Sequence, residues 1–132
     1  KGYTSLFFLD EVTALSAGHR PCFFCRRAEA TAFLGRQKVD GFDRALHAER
    51  LGPKPDIDLD VLPDGAMVEI DGTAFALRGG SLLRWSFDGY RDFCPRRASM
   101  RGTLLTPPSI AAILRAGYSP RWHESARQGD GT

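Results

Sequence analysis

A change of hydrophobic period constrains this chain more than any other feature. From Ala66 onward the sequence reads AMVEI, Asp71-Gly72, TAFALR, Gly79-Gly80, SLLRW. A period of two is the pattern of strands, and the Asp-Gly and Gly-Gly pairs accept the positive φ angles of type I′ hairpin turns. A three-stranded antiparallel meander is expected here. The residues that follow, SFDGYRDFCPRRASMRG, read as a loop, and GTLLT opens a further strand.

Upstream of the meander the period is helical. SLFFL (Ser5 to Leu9) has the length of a strand, Asp10 stands where an N-cap would, and EVTALSA forms a short helix stopped at Gly18. Arg27 to Arg36 predicts a second helix. Phe42 to Leu51 predicts a third, with Phe42, Ala45, Leu46 and Glu49 on one flank and Asp43, His47 and Arg50 on another. The Pro- and Asp-rich run LGPKPDIDLDVLPDG reads as an internal surface linker. The chain thus divides into helices with a preceding strand (1–52), a linker (53–65), and the meander with a closing helix (66–132). With 132 residues, 42% hydrophobic and 26% charged, these parts fit one domain with a real core. The expected class is α+β: a small antiparallel sheet packed against short helices.

One unit occurs twice. SLFFLDEVTALSAGHRP (Ser5 to Pro21) lies over LLTPPSIAAILRAGYSP (Leu104 to Pro120) without a gap, matching Leu15 with Leu114, Gly18 with Gly117, His19 with Tyr118 and Pro21 with Pro120. Each copy reads as a strand, a two-turn helix, a Gly at the left-handed C′ position, then an aromatic ring and a Pro that redirect the chain. Gly18, Gly117, Pro21 and Pro120 are accordingly structural. An Ala at either glycine should cost a similar amount. The second copy continues Arg121-Trp122 where the first has Cys22-Phe23, so the corner does not require cysteine.

The first copy nevertheless carries HRPCFFCRR, with Cys22 and Cys25 at CxxC spacing. This stretch resembles the second half of the Ada-type zinc-binding domain of bacterial alkylation repair, in which a strand, an acidic Ala-rich helix and an AG-aromatic-RPCxxC string supply two of four cysteine ligands. It is also similar to a bacterial protein family of unassigned role that shares the string from FFLDE to CRR. The resemblance covers Phe7 to Arg27. It implies zinc at Cys22 and Cys25, but the other two family cysteines precede the FF strand, where only Lys1 to Thr4 stand here. Neither a four-cysteine set nor methyl transfer carries over. Zinc takes four N or S ligands, which points to His47 with His19 or Cys94 to complete the set, and to His123 as a more distant option. Packing of the thiols beside Phe23 and Phe24 is the plain alternative.

Charge gives a second functional lead. Net charge is only +2, yet Asp56, Asp58, Asp60, Asp64, Glu69 and Asp71 form an acidic block, followed by Arg78, Arg84, Arg91, Arg96, Arg97 and Arg101. Arg96 and Arg97, with Arg20, Arg26 and Arg27 near the cysteines, are the expected contacts to DNA or RNA, against the alternative of a solubilising surface. Two enzyme readings are weaker. Cys22 and Cys25 would form a redox pair if nearby arginines lowered a thiol pKa. Asp43, His47, Glu49 and His123 have the residue types of a metal-dependent phosphodiesterase, without supporting spacing. Three cysteines and no apolar run near the roughly 20 residues of a membrane helix point to a cytoplasmic protein with no membrane partner. The expected function is a small binding module.

Overall fold

The computed structural model describes residues 10–19, 27–35 and 37–129. Its helices are α1 (Glu11–Ser16), α2 (Arg27–Leu34), α3 (Val39–Leu51) and α4 (Pro108–Arg115). Its strands are β1 (Asp56–Asp58), β2 (Met67–Ile70), β3 (Thr73–Arg78), β4 (Ser81–Ser86), β5 (Gly89–Pro95) and β6 (Arg101–Leu104), with 3-10 turns at Leu59–Val61 and Glu124–Gly129. All six strands join one antiparallel sheet in the order β1-β6-β2-β3-β4-β5. The α+β class expected from the sequence is the class observed. The strand expected at Ser5 to Leu9 lies outside the described residues.

The meander forms as expected, with Val68 opposite Phe75 and Leu77 opposite Leu82. Asp71 and Gly72 both take positive φ (52° and 82°), as a type I′ turn demands. The second turn differs: only Gly79 (φ 58°) is left-handed, the pattern of a type II′ turn. Asp64 Oδ1 accepts the Gly79 N–H at 3.0 Å and steadies that turn.

Two segments depart from expectation. The presumed linker contributes β1, which pairs with β6, and a 3-10 turn that buries Leu59 and Leu62. Proline and aspartate mark its ends, but Leu59 and Leu62 within it are core. The presumed loop after Trp85 is β5, which extends the meander by a fourth strand along β4. A register shift in this pairing and a positive φ at Asp92 (51°) mark a β-bulge, and the added residue returns Phe93 to the core side after two successive polar positions. The third helix also begins at Val39, three residues before the expected Phe42.

Alternation along the strands divides the core. Met67, Ala74, Ala76, Leu83, Trp85 and Tyr90 pack with Val12 of α1, Leu105 and Ala126. Val68, Leu77, Leu82 and Leu104 point the other way, against Leu59 and Leu62. A third cluster is helical: Leu15, Phe33, Leu34, Phe42, Leu46, Ile110, Ile113 and Leu114 join all four helices. Among the described residues, no helix is long and apolar enough to cross a membrane.

Candidate functional site at the paired corners

Both corners adopt the same backbone motif. At the end of α1 the Gly18 N–H donates to Leu15 O (2.9 Å) and the His19 N–H to Ala14 O (2.9 Å), with Gly18 at φ 93°. At the end of α4 the Gly117 N–H donates to Leu114 O (3.0 Å) and the Tyr118 N–H to Ile113 O (3.3 Å), with Gly117 at φ 119°. These pairs are the 5→2 and 6→1 bonds of a Schellman motif, which satisfy helix carbonyls that would otherwise lack donors. The repeated unit inferred from the sequence is therefore a repeated turn.

Adjacent carboxylates of α1 hold the second corner. Asp10 caps α1, accepting the Thr13 N–H and hydroxyl at 2.9 Å each, and it also accepts the Tyr90 hydroxyl (2.9 Å) and the His123 N–H (2.7 Å). Burial first, and then the Asp10 carboxylate, push the Tyr90 hydroxyl far above its ordinary pKa of 10.0. Glu11 is buried and accepts the Tyr118 hydroxyl (2.5 Å) and the Arg121 N–H (2.8 Å). Beyond the corner, Pro120 and Leu114 lie over Gly65, where a positive φ of 92° and contacts of 3.1 and 3.3 Å to a Cβ favour glycine. Ser125 accepts the Tyr90 N–H through its hydroxyl (2.8 Å) and contacts His123 Nδ1 (2.8 Å). The Ser125 N–H donates to the same nitrogen, which places the imidazole proton on Nε2.

The first corner is met by α3. The Arg50 guanidinium donates to Gly18 O at 3.1 Å, and Asp43, His47 and Arg50 share one helix stripe, as read from the sequence. His47 stands one turn before that contact, and both His47 and His19 are exposed. Cys22, Cys25, Pro21, Arg20 and Arg26 lie outside the described residues, and Arg27 is the first residue of α2. Cys94 sits on β5 in the cluster that includes Leu59 and Leu82, and His123 is engaged by Ser125. Among the described residues no three His, Cys, Asp or Glu side chains are placed to share a metal ion.

The arginine run is largely occupied within the fold. Arg96 donates to the carbonyls of Leu59 and Leu62 (2.7 Å for the latter) and so closes the 3-10 turn. Arg84 pairs with Asp92, Arg91 with Asp88 and Arg101 with Asp56, while Arg78 lies over the Trp122 ring at 5.2 Å. Arg97 is exposed, and its N–H contacts the Met100 sulfur. The phosphodiesterase set is dispersed: Glu49 caps the start of α4 by accepting the Ser109 N–H (2.9 Å) and hydroxyl (2.5 Å). Asp43 and His47 border a depression along α3 with Asp40 and Arg44.

Two grooves flank the second corner. One, of about 600 Å³, is lined by Glu11, Ala28, Ala32, Gly117, Tyr118 and Arg121. The other, of about 410 Å³, shares Gly117 and Tyr118 and adds Asp64, Arg78, Pro120 and Trp122. Glu11, Tyr118 and Trp122 were not singled out as site residues by sequence reasoning. The alignment of Tyr118 with His19 was the one available signal, because the partners of Glu11 lie more than 100 residues away. Comparison with protein-family models, with curated proteins and with solved structures finds no match.

Proposed function

We propose that this protein is a small binding module in which Cys22 and Cys25 hold a zinc ion at the first corner. The observation that supports it is the second corner, which completes the same Schellman turn with Ser119-Pro120-Arg121 and no cysteine. Since the turn does not need thiols, their CxxC spacing calls for a separate reason, and one edge of a tetrahedral zinc site is that reason. The Arg50 contact lays α3 against this corner, and His47 stands one turn before it, so in this reading His47 and His19 would take the remaining positions. Zinc bound there would contribute folding energy and tie α3 to the corner. The reading entails a reducing, cytoplasmic setting, because the ligands are thiolates.

A binding role agrees with the state of the acidic groups. Asp10, Glu11 and Glu49 spend their oxygens on helix caps and corner contacts. DNA or RNA as the bound partner rests on the arginines, and of Arg96 and Arg97 it is the exposed Arg97 that is available for phosphate. Binding of a DNA duplex that weakens steeply with salt would support that partner, and salt-insensitive or absent binding would remove it.

Metal analysis of protein purified without chelator tests the zinc reading. About one zinc per chain is expected, lost in Cys22→Ser and weakened in His47→Ala. Substoichiometric metal in the unmodified chain would overturn it and leave thiol packing or redox chemistry.

A further inference from the structure

Helix α3 touches both corner units, and it does so with two consecutive residues. Arg50 donates to Gly18 O just beyond the C-terminus of α1, and Glu49 accepts from Ser109 in the first turn of α4. The charges match the helix ends: a cation meets the negative end of one macrodipole and an anion the positive end of the other. A third link runs through rings. Phe42 of α3 meets Phe33 edge-on at 5.6 Å, and Phe33 meets Tyr118 at 5.1 Å, whose hydroxyl rests on Glu11.

The rest of α3 is lightly held. Of its thirteen residues Phe42 and Leu46 are buried, its N-cap Lys38 makes no side-chain cap bond, and Leu51 is 75% exposed. Glycines stand near both ends, Gly35 at φ 58° and Gly52 at the C-cap. A rigid segment with few buried contacts and a glycine on each side is the kind that opens as a local unit below global unfolding.

We propose that α3 is a coupling strap: one docked helix holds the C-terminal end of α1 and the N-terminal start of α4 together, so that a change at either corner unit is felt at the other. The physical basis is a two-state element, docked or undocked, whose equilibrium both contacts bias. A rearrangement that turns the Gly18 carbonyl away from Arg50 weakens docking, and Glu49 then leaves Ser109. The grooves beside Gly117 sit at the far end of α4 from that cap. The strap rests on the Arg50 and Glu49 contacts, which need no metal, and zinc shared with His47 would add to the docked state.

Amide hydrogen exchange on the full chain, as purified and again with chelator, tests this. The probes are the Ser109 amide, held by Glu49, the His19 amide of the first Schellman motif, and the Leu77 amide, which bonds to Ala66 O in the sheet. Arg50→Met keeps the stem and removes the donor; Glu49→Gln keeps the shape and removes the charge. A strap requires cross-effects: Arg50→Met speeds exchange at Ser109, and Glu49→Gln speeds it at His19, each on the order of tenfold, with Leu77 unchanged. Variants that loosen only the corner unit they touch would overturn the proposal. Equal loss of protection at Leu77 would overturn it too, since α3 would then open only with the whole fold.

Discussion

At the first corner Gly18 is buried beneath the stem of Arg50, whereas at the second Gly117 is exposed, with nothing beyond its own chain neighbours within 4 Å of where a Cβ would stand. The backbone bonds of the two turns are the same. The supports differ: α3 covers the first corner from above, and Asp10 and Glu11 grip the second from below. A local code of helix and Gly is enough to write the turn twice. Where each turn docks is decided by residues distant in sequence.

The largest effect should come from the grip on the second corner. Glu11→Ala leaves the Tyr118 hydroxyl and the Arg121 N–H without their buried acceptor and should destabilise the fold by about 2–3 kcal/mol, read from denaturant midpoints. A loss near zero would mean that the second corner stands without α1. Gly18→Ala comes next. A Cβ there would lie 2.9 Å from Arg50 Cγ and closer still to Cδ, so the arginine must leave Gly18 O while the backbone also strains. About 2 kcal/mol is expected. Gly117→Ala meets only the φ penalty, about 1 kcal/mol. The similar cost expected for the two glycines from sequence thus gives way to an unequal pair, and equal measured losses would break the contrast drawn here.

The smallest effect sharpens the comparison by pH. Tyr90→Phe removes one of several donors to Asp10 and should cost just under about 1 kcal/mol at neutral pH. Because the folded Tyr90 pKa is raised, its contribution is complete below the unfolded value of 10.0 and is lost as pH climbs above it. Stability followed through alkaline pH should fall more steeply in the unmodified chain than in the Phe variant. Parallel curves would show that Tyr90 does not anchor Asp10.

These contrasts also show which parts of the molecule the sequence discloses. The meander was legible because Asp71-Gly72 and Gly79-Gly80 are local signals, and α1 because Asp10 caps it through its own third neighbour. β5 was hidden by Arg91-Asp92, two polar residues in succession that only a bulge reconciles with a core-facing Phe93. β1 was hidden because its partner β6 begins more than 40 residues later, so the Pro- and Asp-rich text around Ile57 carries no trace of it. At the candidate site the two corner glycines were legible for the same local reason. Glu11, Tyr118 and Arg121 were not, since their meeting depends on how two copies of one turn pack. Arg96 shows the converse: its charge suggested a phosphate partner, and its hydrogen bonds go to two carbonyls of its own chain.

The bulge in β5 has a further consequence, for how copies of this chain meet at high concentration. An outer strand with free amides is a template for another strand, the first step toward cross-β aggregation. Here the outward N–H of Tyr90 is taken by Ser125, the strand twists at Asp92, and Pro95 ends it without a donor. The opposite edge is a three-residue strand with aspartate at both ends, following Pro55. Both rims of the sheet are thus poor templates for a further strand, and stacking of this sheet edge to edge into fibres is disfavoured.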